Sequence, residues 1–335
     1  MRRAFIIGGS GQIGHAATNT LVDNGWNVIV ASRSLPKTPI RKDNVEYVQV
    51  DRRDTQALKN SFSGPIDFLL DCLSFDITDA TQLVNLSNQV GHICVISSTS
   101  VYKDKNGRTL DEAFINGFPE LPVPIKTTQP TVESGPGTYS TKKIAMEKHL
   151  QKNASCSLNI LRPSAIYGPL SKHAREWFFV KRLLEGRQKI PLAYNAESKF
   201  HTTSVENLAA AILSAANGHL PTITNVVDPT APSVREIGEA IMLSLGIEAE
   251  IIGLPGAEFP PKYGRSPWAI SKPFICELSQ AYQAVGTYQE LVGPTVKYLR
   301  DEIDLANWKT ALPQLAWYPV DLFDYEGEDK ILSNF

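Results

Sequence analysis

The chain has 335 residues, a formal net charge of −2, and 42% hydrophobic and 20% charged residues. These values are typical of a folded protein with one large domain and an added lobe, or with two ordinary domains, and they exclude a disordered or low-complexity chain. The slight negative charge disfavours nucleic acid as a partner, and no apolar stretch reaches the ~18 residues that a membrane-spanning helix needs.

The four cysteines are scattered along the chain, at positions 72, 94, 156 and 276. Their spacing is not that of a metal site or of a redox pair, so we expect reduced thiols, no metal centre and a cytoplasmic location.

Short apolar runs alternate with longer segments along the first half of the chain. The runs are Arg3–Ile7, Trp26–Ala31, Val45–Val50, Ile66–Asp71, His92–Ser97 and Leu158–Arg162. Between the first two runs lies a stretch with helical spacing, which stops at Asn24-Gly25. This alternation predicts the α/β class, with a Rossmann-type, doubly wound parallel sheet that is covered by helices on both faces.

The second half is less regular. Its predicted elements are helices at Arg175–Leu184, Val205–Ala216 and Ser233–Leu245 and a strand at Ile223–Val227. The segment from Gly253 to Pro273 is rich in Pro, Gly and aromatic residues, which favours a lid or substrate loop. We therefore expect a dinucleotide-binding domain at residues 1–163 and 200–228, and a smaller, mixed substrate-binding lobe at 164–199 and 229–335.

Gly8, Gly11 and Gly14 follow the first strand directly and open the first helix. This spacing suits a tight turn beside a pyrophosphate, with the backbone of Gln12 and Ile13 at the helix N-terminus facing the anion. Three glycines alone are weak evidence, because glycine turns without a ligand are common.

The end of the second strand reads Ser32-Arg33, where an acidic residue would bind the ribose of NAD. A guanidinium beside a hydroxyl suits a 2′-phosphate, so NADP is expected and NAD is the weaker alternative. Arg33 as a solvated loop residue is the other interpretation. After the third strand, Asp51 and Arg52 are candidate contacts to the adenosine, although Asp51 suits a loop cap equally well.

Tyr139 and Lys143 are four residues apart, so they share one face of a helix. A lysine one turn from a tyrosine can lower the phenol pKa for proton transfer and can also bind the ribose hydroxyls of a nicotinamide cofactor. Tyr-x-x-x-Lys is a short pattern, and an exposed helix pair is the alternative. Ser97-Ser98-Thr99 follows a predicted strand and offers a hydroxyl that polarises a substrate oxygen.

Together these motifs resemble the extended short-chain dehydrogenases/reductases of the NAD(P)-dependent epimerase/dehydratase family. The resemblance covers about the first 230 residues and includes Leu161-Arg162-Pro163, Tyr167-Gly168-Pro169 and Val205-Glu206-Asn207-Leu208-Ala209. It implies a hydride-transfer enzyme that acts on a small carbonyl or alcohol substrate, which includes sugar-derived compounds, and that can form a homodimer. In this resemblance Ser98, Tyr139 and Lys143 are catalytic and Pro163 lies beside the cofactor, while Ser97 and Thr99 remain alternatives to Ser98.

Several positions depart from the family pattern. Ser98-Thr99-Ser100 stands in place of Thr-Asp-Glu, which disfavours sugar-nucleotide dehydration, and Asp71-Cys72-Leu73-Ser74 replaces a His-Leu-Ala-Ala type segment. Ser164 and Lys199-Phe200-His201 stand where an epimerase carries the Asn and Arg that bind a nucleotide diphosphate.

Beyond the Tyr167-Gly168-Pro169 turn, two residues lie on the expected substrate side. His173 is a candidate second acid or a solvated turn residue, and Arg175 is a candidate anion ligand or half of a surface ion pair. The departures keep open a second function, a non-catalytic NADP-sensing or RNA-associated protein.

Overall fold

The computed structural model describes residues 2–36 and 39–333, and its strands form one large sheet and two small pairs. The strands are β1 (Arg3–Ile7), β2 (Asn27–Ser32), β3 (Val45–Gln49), β4 (Phe68–Asp71), β5 (His92–Ile96), β6 (Ser157–Pro163), β7 (Ala165–Tyr167), β8 (Lys189–Leu192), β9 (Thr202–Ser204), β10 (Ile223–Val226) and β11 (Glu250–Gly253). The large sheet has seven strands in the order β10-β6-β5-β4-β1-β2-β3, and all of its pairings are parallel.

Helices cover both faces of this sheet. The helices of the described residues are α1 (Gln12–Asp23), α2 (Thr55–Asn60), α3 (Ile77–Leu86), α4 (Ala113–Asn116), α5 (Tyr139–Asn153), α6 (Trp177–Leu184), α7 (Val205–Ala216), α8 (Val234–Leu245), α9 (Tyr288–Leu291), α10 (Gly293–Glu302), α11 (Trp308–Ala311), α12 (Pro313–Ala316) and α13 (Tyr325–Leu332). Those that pack on the large sheet include α1, α3, α5 and α7. Alternate residues of β1 point to opposite faces, because side chains alternate along a strand. Ala4 and Ile6 pack with α1 and α7, whereas Phe5 and Ile7 pack with α3 and α5.

This arrangement confirms the predicted doubly wound parallel sheet. The observed bounds differ from the predicted ones by at most two residues. Strand β4 begins at Phe68 rather than at Ile66, since Ile66 makes only an isolated bridge to Val90. Helix α6 begins at Trp177, two residues later than predicted, and α7 spans Val205–Ala216 as predicted.

The second half of the chain builds its own hydrophobic core around α6. Trp177, Phe178 and Phe179 are buried there with residues of α8 and α10 and with Trp268. Between Gly253 and Pro273 the described backbone forms no helix or strand beyond the end of β11, yet Trp268 in this segment is buried. The division of the chain into a cofactor domain and a substrate lobe at the expected boundaries stays a prediction.

Within residues 2–36 and 39–333, no helix is both long enough and apolar enough to span a membrane. All four cysteines carry free thiols. In the same residues, no three His, Cys, Asp or Glu side chains come together as ligands of one metal ion.

Candidate active site

The glycine loop turns tightly between β1 and α1. Gly8 has a φ of +81°, a conformation that favours glycine, and the backbone N–H groups of Gly8 and Gly9 donate to the carbonyl of Ala31 at 3.0 and 3.3 Å. A Cβ atom on Gly14 would lie 2.4 Å from the Cα of Gly9, so a side chain there would push the helix away from the turn. The glycines therefore allow close contact between helix and strand.

The N-terminus of α1 is open toward this loop. Its N-cap residue, Gly11, makes no side-chain cap, and in the described residues the N–H groups of Gln12 and Ile13 have no backbone acceptor. Uncapped N–H groups at a helix start bind an anion, so these residues fit the pyrophosphate of a dinucleotide. The Gln12 side chain instead donates to the carbonyl of Gly168 at 3.1 Å.

Leu73, in the segment after β4, lies against the same loop. A Cβ atom on Gly8 would approach the Leu73 Cγ to 2.7 Å, and the leucine side chain is still 51% exposed. A large apolar side chain therefore borders the glycine loop at the position where the family pattern has a small one.

Arg33 and Asp51 lie at the ends of β2 and β3. Arg33 is exposed, and its carbonyl accepts from the Gln49 side chain at 3.0 Å, while the Ser32 hydroxyl donates to the carbonyl of Ser34 at 2.8 Å. The Asp51 carboxylate accepts from the Arg53 N–H at 2.9 Å, which is the loop cap considered above. Arg33 thus presents its guanidinium to solvent at the position expected for a 2′-phosphate ligand.

Arg52, a second predicted cofactor contact, points back into the protein. Its guanidinium lies 3.1 Å from the Asp71 carboxylate and 3.4 Å from that of Asp79, and it donates to the Gln82 side chain at 2.9 Å. Burial raises the pKa of Asp71, and Arg52 opposes this shift. Arg52 therefore holds the segment after β4, and a direct contact with a cofactor stays a prediction.

A cavity of about 460 Å³ brings four of the predicted site residues together. Gln12, Ser98, Tyr139 and Pro163 all line it. The Tyr139 hydroxyl and the Ser98 hydroxyl form a hydrogen bond, which lowers the phenol pKa, but burial has the larger effect and raises that pKa. The phenol therefore holds its proton at neutral pH.

The neighbouring hydroxyl groups have other partners. The Ser97 hydroxyl donates to the buried Glu147 carboxylate, and the Thr99 hydroxyl forms a hydrogen bond with the Cys276 thiol. Both side chains are buried. Of the three hydroxyl candidates, Ser98 is the one that meets Tyr139.

Lys143 lies one turn beyond Tyr139 and is buried. Its Nζ donates to the carbonyls of Ser74 at 2.6 Å and Ile96 at 2.9 Å, and it lies 5.7 Å from the centre of the Tyr139 ring. An ammonium has three N–H donors, so one remains for a further acceptor. Burial lowers the pKa of Lys143 to about 8. The pKa of Tyr139 is raised by burial, and the lowering of this pKa by Lys143 stays a prediction.

Helix α5, which carries Tyr139 and Lys143, is anchored at its first turn. Thr138 and Thr141 form a capping box, and the N–H of Ser140 donates to the Asp111 carboxylate at 2.7 Å. These contacts satisfy N–H groups that a helix start leaves unpaired, and they fix the direction of the Tyr139 side chain.

A buried polar network behind the cavity was not predicted from the sequence. Arg162 donates to Glu147 through two nitrogens, with Nε to Oε1 at 3.0 Å, and it also donates to the Tyr102 hydroxyl at 3.2 Å. Tyr102 donates in turn to Asn225 at 2.6 Å. One signal was present, since Glu147 follows Lys143 by four residues and so shares its helix face.

The substrate side of the cavity contains His173 and Arg175. Burial, with a smaller effect of Arg175, lowers the pKa of His173 to about 3, so the imidazole is neutral near pH 7 and does not serve as a cationic acid. Its Nε2 is buried and has no hydrogen-bond partner among the described residues. Phe200 and Ser164 line the same cavity. Ser164 stands where the family pattern has an Asn, and Phe200 belongs to the stretch Lys199-Phe200-His201, where that pattern has an Arg.

Comparison with known proteins agrees with this picture. A family model described as the NAD dependent epimerase/dehydratase family matches residues 4–226. No curated protein matches the sequence.

Solved structures with similar folds include sugar-nucleotide epimerases. The UDP-glucose 4-epimerase of Thermus thermophilus, in complex with NAD, has a TM-score of 0.65 and 19% identity, over 90% of this chain and 100% of that one. The UDP-N-acetylglucosamine 4-epimerase of Methanobrevibacter ruminantium has a TM-score of 0.67 and 17% identity, over 90% of this chain and 99% of that one. The Thermotoga maritima UDP-glucose 4-epimerase has a TM-score of 0.66 and 16% identity, over 89% of this chain and 98% of that one. At such identities the likeness shows the fold alone.

Proposed function

Because the chain belongs to the NAD-dependent epimerase/dehydratase family of enzymes, we propose that it transfers a hydride to or from a small carbonyl or alcohol substrate. The reaction is a reduction, an oxidation, or the redox step of an epimerisation. The observation that carries this proposal is the cavity in which Ser98 and Tyr139 meet Gln12 of the α1 N-terminus. Sugar-derived carbonyl compounds are within the proposed class.

In the direction of reduction, each side chain has a separate task. The Ser98 hydroxyl donates a hydrogen bond to the substrate carbonyl oxygen and polarises it. Tyr139, whose raised pKa keeps the phenol protonated, transfers its proton to that oxygen. Lys143 uses its remaining N–H donor to stabilise the phenolate that is left. A bound nicotinamide dinucleotide supplies the hydride to the carbonyl carbon.

For the cofactor we propose NADP, with NAD as the weaker alternative. The support is the exposed Arg33 guanidinium at the end of β2, where a carboxylate would serve the ribose of NAD. The Thermus thermophilus structure, by contrast, holds NAD. The N–H groups of Gln12 and Ile13 would hold the pyrophosphate of either cofactor.

The direct test is NADPH oxidation, followed by absorbance, with a panel of aldehydes, ketones and oxo acids. The proposal predicts turnover with at least one compound and hydride appearing at its carbonyl carbon when NADPH deuterated at C4 is used. An absence of turnover across the panel in either direction, with NADPH bound, would favour the second function.

That second function is a non-catalytic NADP sensor or RNA-associated protein. The observation in its favour is Leu73, which narrows the space beside Gly8. Filter binding with RNA across a salt series tests the RNA-associated form of this function, because phosphate contacts weaken steeply with salt. We expect no binding at low salt, in keeping with the net charge of −2.

Three further proposals concern the protein as a whole. We expect a cytoplasmic location, in keeping with four free thiols. We also expect a homodimer, which sedimentation velocity would detect. Finally, we expect a dinucleotide-binding domain at residues 1–163 and 200–228 and a substrate-binding lobe in the remaining residues. Limited proteolysis should then cut near the boundaries between these two parts.

A further inference from the structure

A second, smaller cavity adjoins the Ser98–Tyr139 cavity. Its volume is about 170 Å³, and it shares Leu110, Arg175 and Phe200 with the larger one. We call it the aromatic pocket, since the residues that line it alone include Phe114, Phe118 and Phe259. A molecule in the larger cavity can therefore extend into the aromatic pocket without leaving the protein.

The wall of the aromatic pocket suits an apolar ring. The Phe259 ring centre lies 5.4 Å from that of Phe114 and 5.3 Å from that of Phe118. Ile270 and Ala269 complete an apolar lining. An apolar cavity of about 150 Å³ is large enough for benzene, so the aromatic pocket has room for one six-membered ring.

Arg175 lies where the two cavities meet. It is half-buried, and among the described residues no carboxylate lies within ion-pair distance of it. The adjacent carboxyl group, Glu176, is turned inward, where it accepts from the Tyr288 hydroxyl at 3.4 Å. The surface ion pair considered for Arg175 is therefore absent from the described structure, and its charge faces the shared cavity.

Arg265, the other cation of the aromatic pocket, has a different environment. Its Nε donates to the carbonyl of Pro261 at 3.0 Å, and it also lines a small neighbouring cavity with Asp321 and Asp324. The carboxylates on that side reduce its attraction for an anion. Arg175 is therefore the better candidate for binding a negative group of a substrate.

We propose that the substrate is an amphipathic anion, a carbonyl or alcohol that carries a carboxylate and one apolar ring. The ring occupies the aromatic pocket, Arg175 binds the carboxylate, and the carbonyl lies at Ser98 and Tyr139. Phe200 supports this class, because its ring, stacked on Phe274 at 5.1 Å, lines both cavities. This inference rests on the proposed function, which it narrows to a substrate class.

The test is calorimetric titration of the full chain with 3-phenylpropionate, a non-reactive probe that carries both features, with and without NADP+. The amide of the probe lacks the charge, and propionate lacks the ring. We expect each to bind at least about tenfold more weakly than 3-phenylpropionate, because each loses one of the two contributions. Arg175→Gln should weaken binding of 3-phenylpropionate by about tenfold or more and leave binding of the amide unchanged. Arg265→Gln is the matched control and should bind the probe as the wild type does.

Three results would overturn the inference: no saturable binding of 3-phenylpropionate, equal affinity for propionate, or a loss of binding in Arg265→Gln but not in Arg175→Gln. Thermal melting of each variant confirms that it is folded before titration. Tyr139→Phe separates this inference from the proposed function, since it should bind the probe normally while losing turnover. Turnover in Tyr139→Phe would reject the function alone, and normal probe binding by Arg175→Gln would reject the substrate class alone.

Discussion

Ser98 and Ser97 are neighbours in the chain, but their hydroxyl groups face different partners. Ser98 meets the Tyr139 phenol, whereas Ser97 donates to Glu147. Ser98→Ala should therefore lower kcat/KM by about 10²–10³-fold, the range for loss of one donor to a developing oxyanion. Ser97→Ala is the matched comparison: it removes only a donor to Glu147, so its loss in kcat/KM should be clearly smaller than that of Ser98→Ala. A loss of equal size in Ser97→Ala would identify Ser97 as the polarising residue.

Arg33 is the residue on which the cofactor preference depends. Arg33→Asp removes the cation expected to bind a 2′-phosphate and adds a like charge, so the ratio of NADP to NAD affinity should fall by at least about tenfold. Arg41→Asp, which changes an exposed arginine before β3, is the control for net charge. Fluorescence titration with both cofactors measures the ratio. Tighter binding of NAD than of NADP by the wild type would contradict the assignment.

At the scale of elements, one buried network connects β5, α5 and β6 behind the cavity. Glu147 of α5 accepts from Ser97 beyond β5 and from Arg162 of β6, and all three side chains are buried. Charge-assisted hydrogen bonds of this kind are short and directional. The network therefore fixes α5, and with it Tyr139, against β5 and β6.

Breaking this network should cost far more than breaking a surface pair. Glu147→Gln leaves the buried Arg162 charge without its partner, so the free energy of unfolding should fall by about 3–5 kcal/mol. The matched control is Glu133→Gln, whose carboxylate is 83% exposed and lies 3.5 and 3.8 Å from two lysines. There we expect a change below about 1 kcal/mol. Urea unfolding measures both, and similar losses would show that the network contributes little.

The large sheet is predictable from the sequence because its strands are buried on both faces. Val28, Ile29 and Val30, for example, form a continuous apolar run. In the helices before and after such strands, the apolar residues recur at helical spacing instead. Tyr139 and Lys143 are likewise a local pattern, since their spacing alone places them on one helix face. The family and the fold are confirmed, whereas the catalytic roles of these residues stay predictions.

Other parts of the site depend on contacts between distant parts of the chain. Phe118 and Phe259 lie against each other across a separation of 141 residues, and neither belongs to a regular element with a readable period. Arg52 is recognisable as a loop residue, but its partner Asp79 lies on a helix 27 positions later. No spacing rule connects such residues, so the aromatic pocket and the true environment of Arg52 emerge only from the folded structure.

At the scale of the whole molecule, the half that carries the large sheet and the second half of the chain meet around a buried carboxyl group. Glu176 precedes α6, and its neighbours include Tyr288 of α9 and Asp228 beyond β10. Burial raises the pKa of Glu176 to about 7 from 4.5. The folded protein therefore binds this proton more tightly than the unfolded chain does.

This difference predicts how stability depends on pH. As pH rises from 4.5 through 7, the unfolded chain ionises Glu176 before the folded protein does, so its contribution to the free energy of unfolding falls. Glu176→Gln has no such titration. Between about pH 5 and pH 8 the variant should therefore gain about 1–3 kcal/mol relative to the wild type. Glu239→Gln, at an exposed position of α8, should show no such trend. A pH-independent difference would contradict the buried, protonated carboxyl group.

The most direct test of the proposed chemistry is Tyr139→Phe, studied by NADPH turnover and NADPH titration on the same preparation. Loss of the proton donor should lower kcat by about 10²–10⁴-fold, while the affinity for NADPH stays near the wild-type value because the glycine loop is unchanged. Tyr263→Phe removes an exposed phenol outside the cavity and should retain full turnover. Wild-type kcat in Tyr139→Phe would contradict the assignment of Tyr139 as the proton donor of a hydride-transfer enzyme.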